Sequence, residues 1–417
     1  MKKFNYWLIL LIVFALPSYL IRFDIFGLPS TLLEILIYLS AIISLCQIPY
    51  TKYHIQKDFK KLIIPIILFF IGGVIGIVIA PDRMTALGQF KAYIFDPILF
   101  FGILIINIRS EKEVRNLLYA FFLSGIYVSL YSIWQYFTGN ISADGRIIGI
   151  FGYSPNYLAF YLTPLFIVGL YLTWIDRKNN ILLSILKVLL LISCAWAIVL
   201  SGSRGAILAI IGSIALGSII KYLYYLKNNT IKPIYIILLA ILILVAGYFL
   251  IRPDMSVSGT DAGRIGSSNN IRWEIYKTTV INILPVNSHW LWGLGLGNFQ
   301  NYFTEISSSW ANYPEYIAPK ALMAHNLILQ TWLSVGILGL IGFIWILVLF
   351  FKNIIMKNTL SYMIMVTMIA ILIQGIVDTP YWKNDLAVMF WVLMFVSYFI
   401  YIKYDNKLNY ENSKINL

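Results

Sequence analysis

Charged side chains are scarce in this chain of 417 residues, since Asp, Glu, Lys and Arg together make up only 12% of it. Soluble domains contain about 25% charged residues and about 45–50% apolar ones, whereas 60% of this chain is hydrophobic. That balance excludes a water-soluble protein, because the excess apolar surface has to face something other than water. The composition predicts an all-α integral membrane protein that is surrounded by membrane lipids.

Acidic residues are the rarer of the two charge signs, with 18 Asp and Glu against 31 Lys and Arg and a net charge of +13. A surplus of this size can mark a nucleic-acid-binding protein, but that function needs a solvated basic face. The residues between the charges are mostly Ile, Leu, Phe and Tyr. We therefore expect no nucleic-acid partner.

Ligands for a metal or a cofactor are also few. The two cysteines, Cys46 and Cys194, both lie in long apolar runs, which favours a packing role for each. The predicted outer segments contain no Asp-x-Asp pair, His/Cys cluster or Glu-x-x-His pattern, and the glycines of 293–297 lack the spacing and the preceding strand of a dinucleotide loop. We therefore expect neither a metal site nor a cofactor.

Long apolar runs, by contrast, are abundant. A membrane-spanning helix needs about 20 mostly apolar residues, and twelve such runs are separated by charged or Gly-, Pro- and Asn-rich breaks. They cover residues 4–21, 30–49, 62–80, 87–107, 115–138, 153–174, 181–200, 204–225, 232–251, 326–351, 358–377 and 382–402. The sequence thus predicts one polytopic domain, 1–417, with about 12 transmembrane helices.

The basic residues indicate how this bundle is oriented, because Lys and Arg concentrate in cytoplasmic loops. With the N-terminus inside, the inner segments hold 20 basic and 6 acidic residues, a net +14, and the remaining 11 basic and 12 acidic residues give the outer segments a net −1. We therefore expect both termini to be cytoplasmic. The apolar run after Lys2 and Lys3 lacks a small-residue cleavage site, so it is interpreted as a retained first helix.

One predicted outer connection is much longer than the others. Residues 252–325 are rich in Gly, Asn, Ser and Trp, and loops of this length tend to be functional or disordered. The helix-like stretch 269–283 and the aromatic residues Trp290 and Trp292 predict a large extracytoplasmic loop with short helices that packs on the outer membrane face.

Two arginines stand where a helix is expected to begin. Ser203 fits the N-cap of a helix that has Arg204 in its first turn, and Asn269 precedes Arg272 at the start of an amphipathic pattern. A cation is poorly placed there unless an anion binds, because the free N–H groups and the helix dipole already favour negative charge. Both arginines are candidate phosphate ligands; an arginine that extends to the membrane interface and an ordinary surface helix are the alternatives.

His325 precedes the tenth predicted span, in the segment Ala324-His325-Asn326-Leu327. Histidine titrates near neutral pH, so one at the outer membrane boundary is a candidate general base or phosphate ligand. A structural role is the alternative.

Several charged residues fall within the predicted spans or near their ends. Lys91 and Asp96 lie inside the fourth span, where charges are costly, and they are either functional or paired with other charges. Glu34, Asp378 and Asp385 lie near the outer ends of their spans and are placed to hold arginines.

The order of these motifs resembles the bacterial O-antigen ligase and O-antigen polymerase family. SGSRGA follows one span, the long outer loop contains NNIRWEIY and GLGLGNF, and AHNLILQTWLSVGILGL opens the next span. RIIGIFGYSPNYLA, from Arg146 to Ala159, and GIVDTPYWKNDLA, from Gly375 to Ala387, extend the resemblance over most of the chain.

The resemblance implies a metal-independent, inverting glycosyltransferase of the bacterial inner membrane that acts in surface polysaccharide biosynthesis, such as that of lipopolysaccharide. Its donor would be a glycan on undecaprenyl diphosphate, and its acceptor the hydroxyl of a glycan or lipid at the outer face. The family's functional arginines fall on Arg204 and Arg272 and its histidine on His325, with Arg146 and Asn326 as further substrate-binding residues. Where the family usually has an acidic residue shortly after the histidine, this chain has Ser334, which puts an acid partner for His325 in doubt.

Two other functions stay open on the sequence. A peptidoglycan-type glycan polymerase also uses a lipid-linked donor, but Asp254, Asp261, Glu305 and Glu315 of the outer loop lie in no motif typical of one. A polysaccharide or lipid transporter commonly shows repeated halves and broken helices in the middle of the membrane, whereas the unusual residues here gather at the outer face.

Overall fold

The computed structural model describes residues 1–25, 28–47, 60–142, 144–152, 154–177, 181–226, 268–308 and 321–415, with the backbone alone for 28, 268–270 and 406–415. Within these ranges the chain folds into α-helices and a single two-stranded hairpin. The strands are β1 (Arg22–Ile25) and β2 (Leu28–Thr31), which pair antiparallel with Arg22 opposite Thr31.

The helices are α1 (Lys2–Phe14), α2 (Leu32–Gln47), α3 (Lys60–Ile79), α4 (Arg83–Phe90), α5 (Asp96–Asn107), α6 (Glu111–Phe137), α7 (Pro155–Ile175), α8 (Ile181–Leu200), α9 (Arg204–Leu226), α10 (Ser268–Thr278), α11 (His289–Trp292), α12 (Phe299–Ser308), α13 (Leu327–Lys352), α14 (Thr359–Val377) and α15 (Asn384–Ile415). Nine helical segments of the described chain are long and apolar enough to cross a membrane, with 83–107 counted as one. They match nine of the twelve predicted spans, so the expectation of a multi-pass helical membrane protein is confirmed. The predicted span 232–251 lies outside the described residues.

The first two predicted spans differ from the structure. The helix predicted over 4–21 ends at Phe14 as an α-helix and continues as a 3₁₀ turn, Leu16–Leu20. Pro17 explains the change, because it has no N–H to donate and its ring obstructs the preceding turn. The hairpin occupies the following residues, so α2 begins at Leu32 and is shorter than each of the nine segments that can cross a membrane.

A π-helical turn, Lys91–Phe95, joins α4 to α5. Pro97 lies in the first turn of α5 and cannot donate to the carbonyl of Tyr93, four residues earlier. The Tyr93 carbonyl instead accepts a hydrogen bond of 2.7 Å from the hydroxyl of Tyr381. The irregular turn is therefore held by the segment that follows α14.

The two charged side chains expected inside the fourth span both have polar partners, and that of Lys91 is an opposite charge. Nζ of Lys91 lies 2.9 Å from a carboxylate oxygen of Glu34 and donates to the carbonyl of Pro29, and Asp96 accepts a 2.7 Å hydrogen bond from Tyr38. Glu34 therefore holds a lysine and not an arginine.

Of the two cysteines, Cys194 is buried and accepts a hydrogen bond from Ser129, as expected for a packing role, whereas Cys46 is exposed.

The described part of the long loop is fastened to the bundle by its glycine turn. The N–H of Leu294 donates to the carbonyl of Leu333 (2.7 Å), and the N–H of Leu296 donates to that of Gly76 (3.1 Å). α13 can offer the Leu333 carbonyl because Gly336 (φ +66°) interrupts its helical geometry. At Gly293 a Cβ would stand 2.4 Å from the same oxygen, so only glycine permits this approach.

Candidate active site

Arg204 is the first residue of α9, as predicted. The turn before it contains Gly202 with a left-handed φ of +62°, and its hypothetical Cβ would lie 2.6 Å from Cδ of Arg146. The N–H of Ile147 also donates to the carbonyl of Leu200 (3.3 Å). The loop that carries Arg146 thus lies directly on the turn that carries Arg204, which brings two of the predicted site residues together.

Arg146 is held by a carboxylate in its own loop. Its Nε lies 2.6 Å from Oδ2 of Asp144. Burial raises the pKa of Asp144, but hydrogen bonds from Ser142 and Arg146 and the positive charge of Arg146 outweigh it, so the pKa lies below its ordinary value. Asp144 therefore stays ionised at neutral pH and fixes the stem of the guanidinium.

Arg272 lies on α10, as the amphipathic pattern predicts. The apolar face of this helix is anchored by Ile275, which is 1% exposed. On the next position, the hydroxyl of Tyr276 donates to the carbonyl of His325 (2.6 Å) and lies 3.0 Å from that of Ile376. Burial raises the pKa of Tyr276 to about 12, more than the charge of Arg272 lowers it, so this hydroxyl keeps its proton and acts as a donor. α10 is thereby fixed to the start of α13 and to the end of α14.

Asn326 caps α13 and positions the histidine that precedes it. Its Oδ1 accepts from the N–H groups of Ile328 and Leu329, both at 3.0 Å, and its Nδ2 donates to the carbonyl of Ile376 (3.1 Å). Because both ends of the amide are used in this way, the contacts of Asn326 are those of a cap. Substrate binding by Asn326 stays a prediction.

His325 has a carboxylate neighbour that the sequence did not reveal. Its backbone is left-handed (φ +48°), and its Nδ1 lies 3.4 Å from Oδ1 of Asp378, which follows the last residue of α14. Among the residues that the structure describes, Nδ1 forms no regular hydrogen bond. The two atoms lie within the distance of an ion pair, and a small approach would bring them to hydrogen-bond distance. The acid partner of His325 therefore comes from another helix, and not from the position of Ser334, which is buried and bonded to Gln330.

The electrostatics of Asp378 tie Arg272 to the same place. Burial raises the pKa of Asp378, but its contact with His325, the positive charge of Arg272 and the N–H of Thr379 outweigh burial, so the pKa lies below its ordinary value. Asp378 is thus an anion that two predicted site residues, His325 and Arg272, stabilise. The expectation that Asp378 holds an arginine agrees with this arrangement.

The start of α9 reaches this cluster through the end of α14. A Cβ at Gly205 would lie 3.4 Å from Val377, which is ordinary van der Waals contact, and one at Gly375 would lie 2.9 Å from Leu327. α14 therefore packs between the first turns of α9 and α13. Arg204 adjoins Gly205, and Asp378 adjoins Val377, so Arg204, Arg272 and His325 lie around one helix end.

Lys383 is a further cation that the sequence reasoning missed. It directly precedes α15, and its Nζ lies 5.4 Å from the ring centre of Tyr157. Burial lowers the pKa of Lys383, while the charges of Asp378 and Asp385 oppose that shift. The motif from Gly375 to Ala387 contained the signal, since it places one lysine between two acids.

Histidine, cysteine, aspartate and glutamate do not gather in groups of three or more anywhere in the described ranges. The site contains arginines, of which Arg204 lies at a helix N-terminus and Arg272 in the second turn of α10, together with one histidine and one buried carboxylate. Such a set can bind a phosphate or diphosphate and can accept a proton.

This geometry defines a class: a multi-pass membrane protein whose basic and titratable residues converge at one end of the helix bundle. The model of a protein family described as O-Antigen ligase matches residues 188–344, a region that includes Arg204, Arg272 and His325. The match confirms the family resemblance of the sequence. No curated protein matches the chain. The matched segment, 188–344, thus carries the likeness to a family that is associated with glycosyl transfer, within a multi-pass helical membrane protein.

Proposed function

We propose that this protein transfers a glycan from undecaprenyl diphosphate to an acceptor hydroxyl at the outer face of the bacterial inner membrane, with both termini in the cytoplasm. The observation that carries the proposal is the placement of His325 against Asp378, with the charge of Arg272 acting on the same carboxylate. It supports proton transfer and anion binding at one place, and both are needed when a hydroxyl displaces a diphosphate.

The acceptor hydroxyl reacts as follows. Its oxygen forms a bond to the anomeric carbon of the donor sugar, and the bond from that carbon to the diphosphate oxygen breaks, which inverts the anomeric configuration. His325 takes the hydroxyl proton. Because Nδ1 faces Asp378, Nε2 is the nitrogen that accepts this proton, and the carboxylate stabilises the imidazolium that results.

The leaving group is undecaprenyl diphosphate, which departs with the electron pair of the broken bond. Arg204 and Arg272 stabilise the negative charge that develops on it, since a guanidinium offers two parallel donors to phosphate oxygens. Arg204 lies at the start of α9, where the free N–H groups of the first helical turn provide further donors to a phosphate. This arrangement supports catalysis without a metal ion, because the charge of the diphosphate is met by protein cations.

The acceptor is a glycan or a lipid, and a direct experiment separates ligase from polymerase. Purified protein in lipid is incubated with an undecaprenyl-diphosphate oligosaccharide, first alone and then with lipid A core or a preformed glycan, in the presence of a chelator. A ladder from donor alone means a polymerase, and a product only with added acceptor means a ligase. Absence of product under every condition, or a strict need for metal, contradicts the proposal.

The same assay distinguishes two roles for His325. If His325 is a general base, neither the amide of His325→Gln nor the cation of His325→Lys can replace it. If His325 only neutralises the diphosphate, the lysine of His325→Lys replaces it in part. We expect both variants to lose transfer by about 10²–10⁴-fold. Substantial activity in His325→Lys would assign the histidine to the leaving group.

A further inference from the structure

A cavity of about 800 Å³ opens between the start of α6, the end of α7, the start of α14 and residues 399–404 of α15. It lies at the opposite end of α14 from the active site, because Asn358 and Leu360 line it whereas Asp378 follows the other end of that helix. The 19 residues of α14 span about 28 Å at 1.5 Å per residue, which is close to the thickness of the hydrocarbon core. The cavity is therefore at the other membrane face, and the proposed glycan transfer makes no use of it.

The inner walls of this cavity are apolar. They are formed by Val114, Leu118, Leu360, Phe399 and Ile400. A cavity of several hundred Å³ with apolar walls and a few polar groups is typical of a small-molecule site. These walls suit the hydrocarbon part of a ligand.

The rim of the cavity carries cations. Arg115 and Lys403 both line it and both are exposed. Nζ of Lys403 lies 3.2 Å from Glu111, but their side chains are 45% and 80% exposed, so this pair is weak and an anion can displace it. Arg115 forms no ion pair with any residue in the described part of the chain.

We propose that this cavity binds one anionic phospholipid. Its phosphate lies between Arg115 and Lys403, and the part of its acyl chains next to the headgroup lies against the apolar walls. Basic pockets between transmembrane helices at the cytoplasmic face favour anionic headgroups, and each nearby cation is worth a several-fold gain in affinity. A soluble phosphate satisfies the rim alone, whereas a phospholipid satisfies both the rim and the walls. The site is independent of the transfer reaction.

The test uses the full-length protein in detergent, with bound ligand counted by native mass spectrometry. Phosphatidylglycerol, phosphatidylcholine and inorganic phosphate are titrated separately. We expect phosphatidylglycerol to fill one site and to bind at least tenfold more tightly than either of the others. Arg115→Gln and Lys403→Gln are each expected to weaken it about fivefold, while Lys112→Gln, at an exposed position in the first turn of the same helix, leaves it unchanged.

A second variant separates the walls from the rim. Leu360→Trp reduces the cavity volume and keeps both cations, so it is expected to weaken phosphatidylglycerol and not phosphate. Thermal unfolding of each variant confirms that it is folded. The proposal is overturned if phosphatidylcholine or phosphate binds as tightly as phosphatidylglycerol. It is also overturned if Arg115→Gln and Lys112→Gln bind phosphatidylglycerol with equal affinity.

Discussion

Oδ1 of Asp378 lies 3.4 Å from Nδ1 of His325, and this contact joins the end of α14 to the start of α13. The hydroxyl of Tyr276 on α10 bonds the backbone of the same two segments. Three elements from separate parts of the chain thus meet at His325: Tyr276 holds its backbone, and Asp378 faces its imidazole. A base whose backbone is held in place has less freedom to lose when it acts.

Asp378→Asn tests the role of this carboxylate. The amide keeps the size of the side chain but removes the charge that supports an imidazolium, so we expect glycan transfer to fall about 10²-fold or more. Asp82→Asn is the matched control: Asp82 is an exposed N-cap of α4, and asparagine caps equally well. Equal activity of Asp378→Asn and wild type would remove Asp378 from the mechanism.

The low pKa of Asp378 predicts how stability depends on pH. Since its pKa in the folded protein lies below the ordinary value of 3.8, the ionised carboxylate stabilises the fold above that pH, and this contribution is lost as the pH falls through the folded value. Wild type should therefore unfold at a higher temperature than Asp378→Asn at pH 6. The difference should narrow below about pH 4. A difference that is the same at pH 6 and pH 3 contradicts the assignment.

The spans could be predicted from the sequence because a membrane helix depends on local composition. For the nine confirmed spans, the predicted ends lie within four residues of the observed ones, except that α15 continues to Ile415, well past the predicted end at 402. The prediction was wrong for the first span, where Pro17 changes the helix type, since hydropathy measures how apolar a run is and not which of its N–H groups can donate.

The active site could be predicted only in part. The cap formed by Asn326 was not predicted, whereas Arg204 follows from a local signal, namely its place next to a helix start. The partner of His325 does not, because Asp378 reaches it across two packed helices. The family resemblance pointed instead to the position of Ser334, where the expected acid is missing, and Asp378 was visible only as an acid near the outer end of a span.

Arg204→Lys tests whether the shape of the cation matters as well as its charge. An ammonium cannot offer two parallel donors to a diphosphate, so we expect transfer to fall about 10²–10³-fold while membrane insertion is retained. Arg83→Lys is the matched control, since Arg83 is also the first residue of a helix and is exposed. Unchanged transfer in Arg204→Lys would exclude a bidentate phosphate contact.

Gly202→Ala tests the contact between the Arg146 loop and the Arg204 turn. The new Cβ would sit 2.6 Å from Cδ of Arg146 at a backbone φ of +62°, so it adds a clash to the strain of about 1 kcal/mol that a left-handed alanine incurs. Gly145→Ala has a similar φ of +77° and no atom within 4 Å of its Cβ, so it carries the strain alone. We expect both variants to unfold at a lower temperature and only Gly202→Ala to lose most of its transfer activity. Similar activity in the two would show that the position of Arg146 is not needed.

Tyr276→Phe tests how far α10 depends on the ends of α13 and α14. The change removes the hydroxyl that bonds the carbonyls of His325 and Ile376, and a hydrogen bond of this kind contributes about 1 kcal/mol to the free energy of unfolding. The control is Tyr302→Phe, because the Tyr302 hydroxyl forms no hydrogen bond to another residue of the described ranges and its ring packs against His289. Tyr276→Phe should unfold at a lower temperature in detergent, and its transfer rate should fall less than that of Asp378→Asn, because Tyr276 moves no proton. A loss of transfer as large as that of Asp378→Asn, with unfolding unchanged, would instead place the hydroxyl in contact with the substrate.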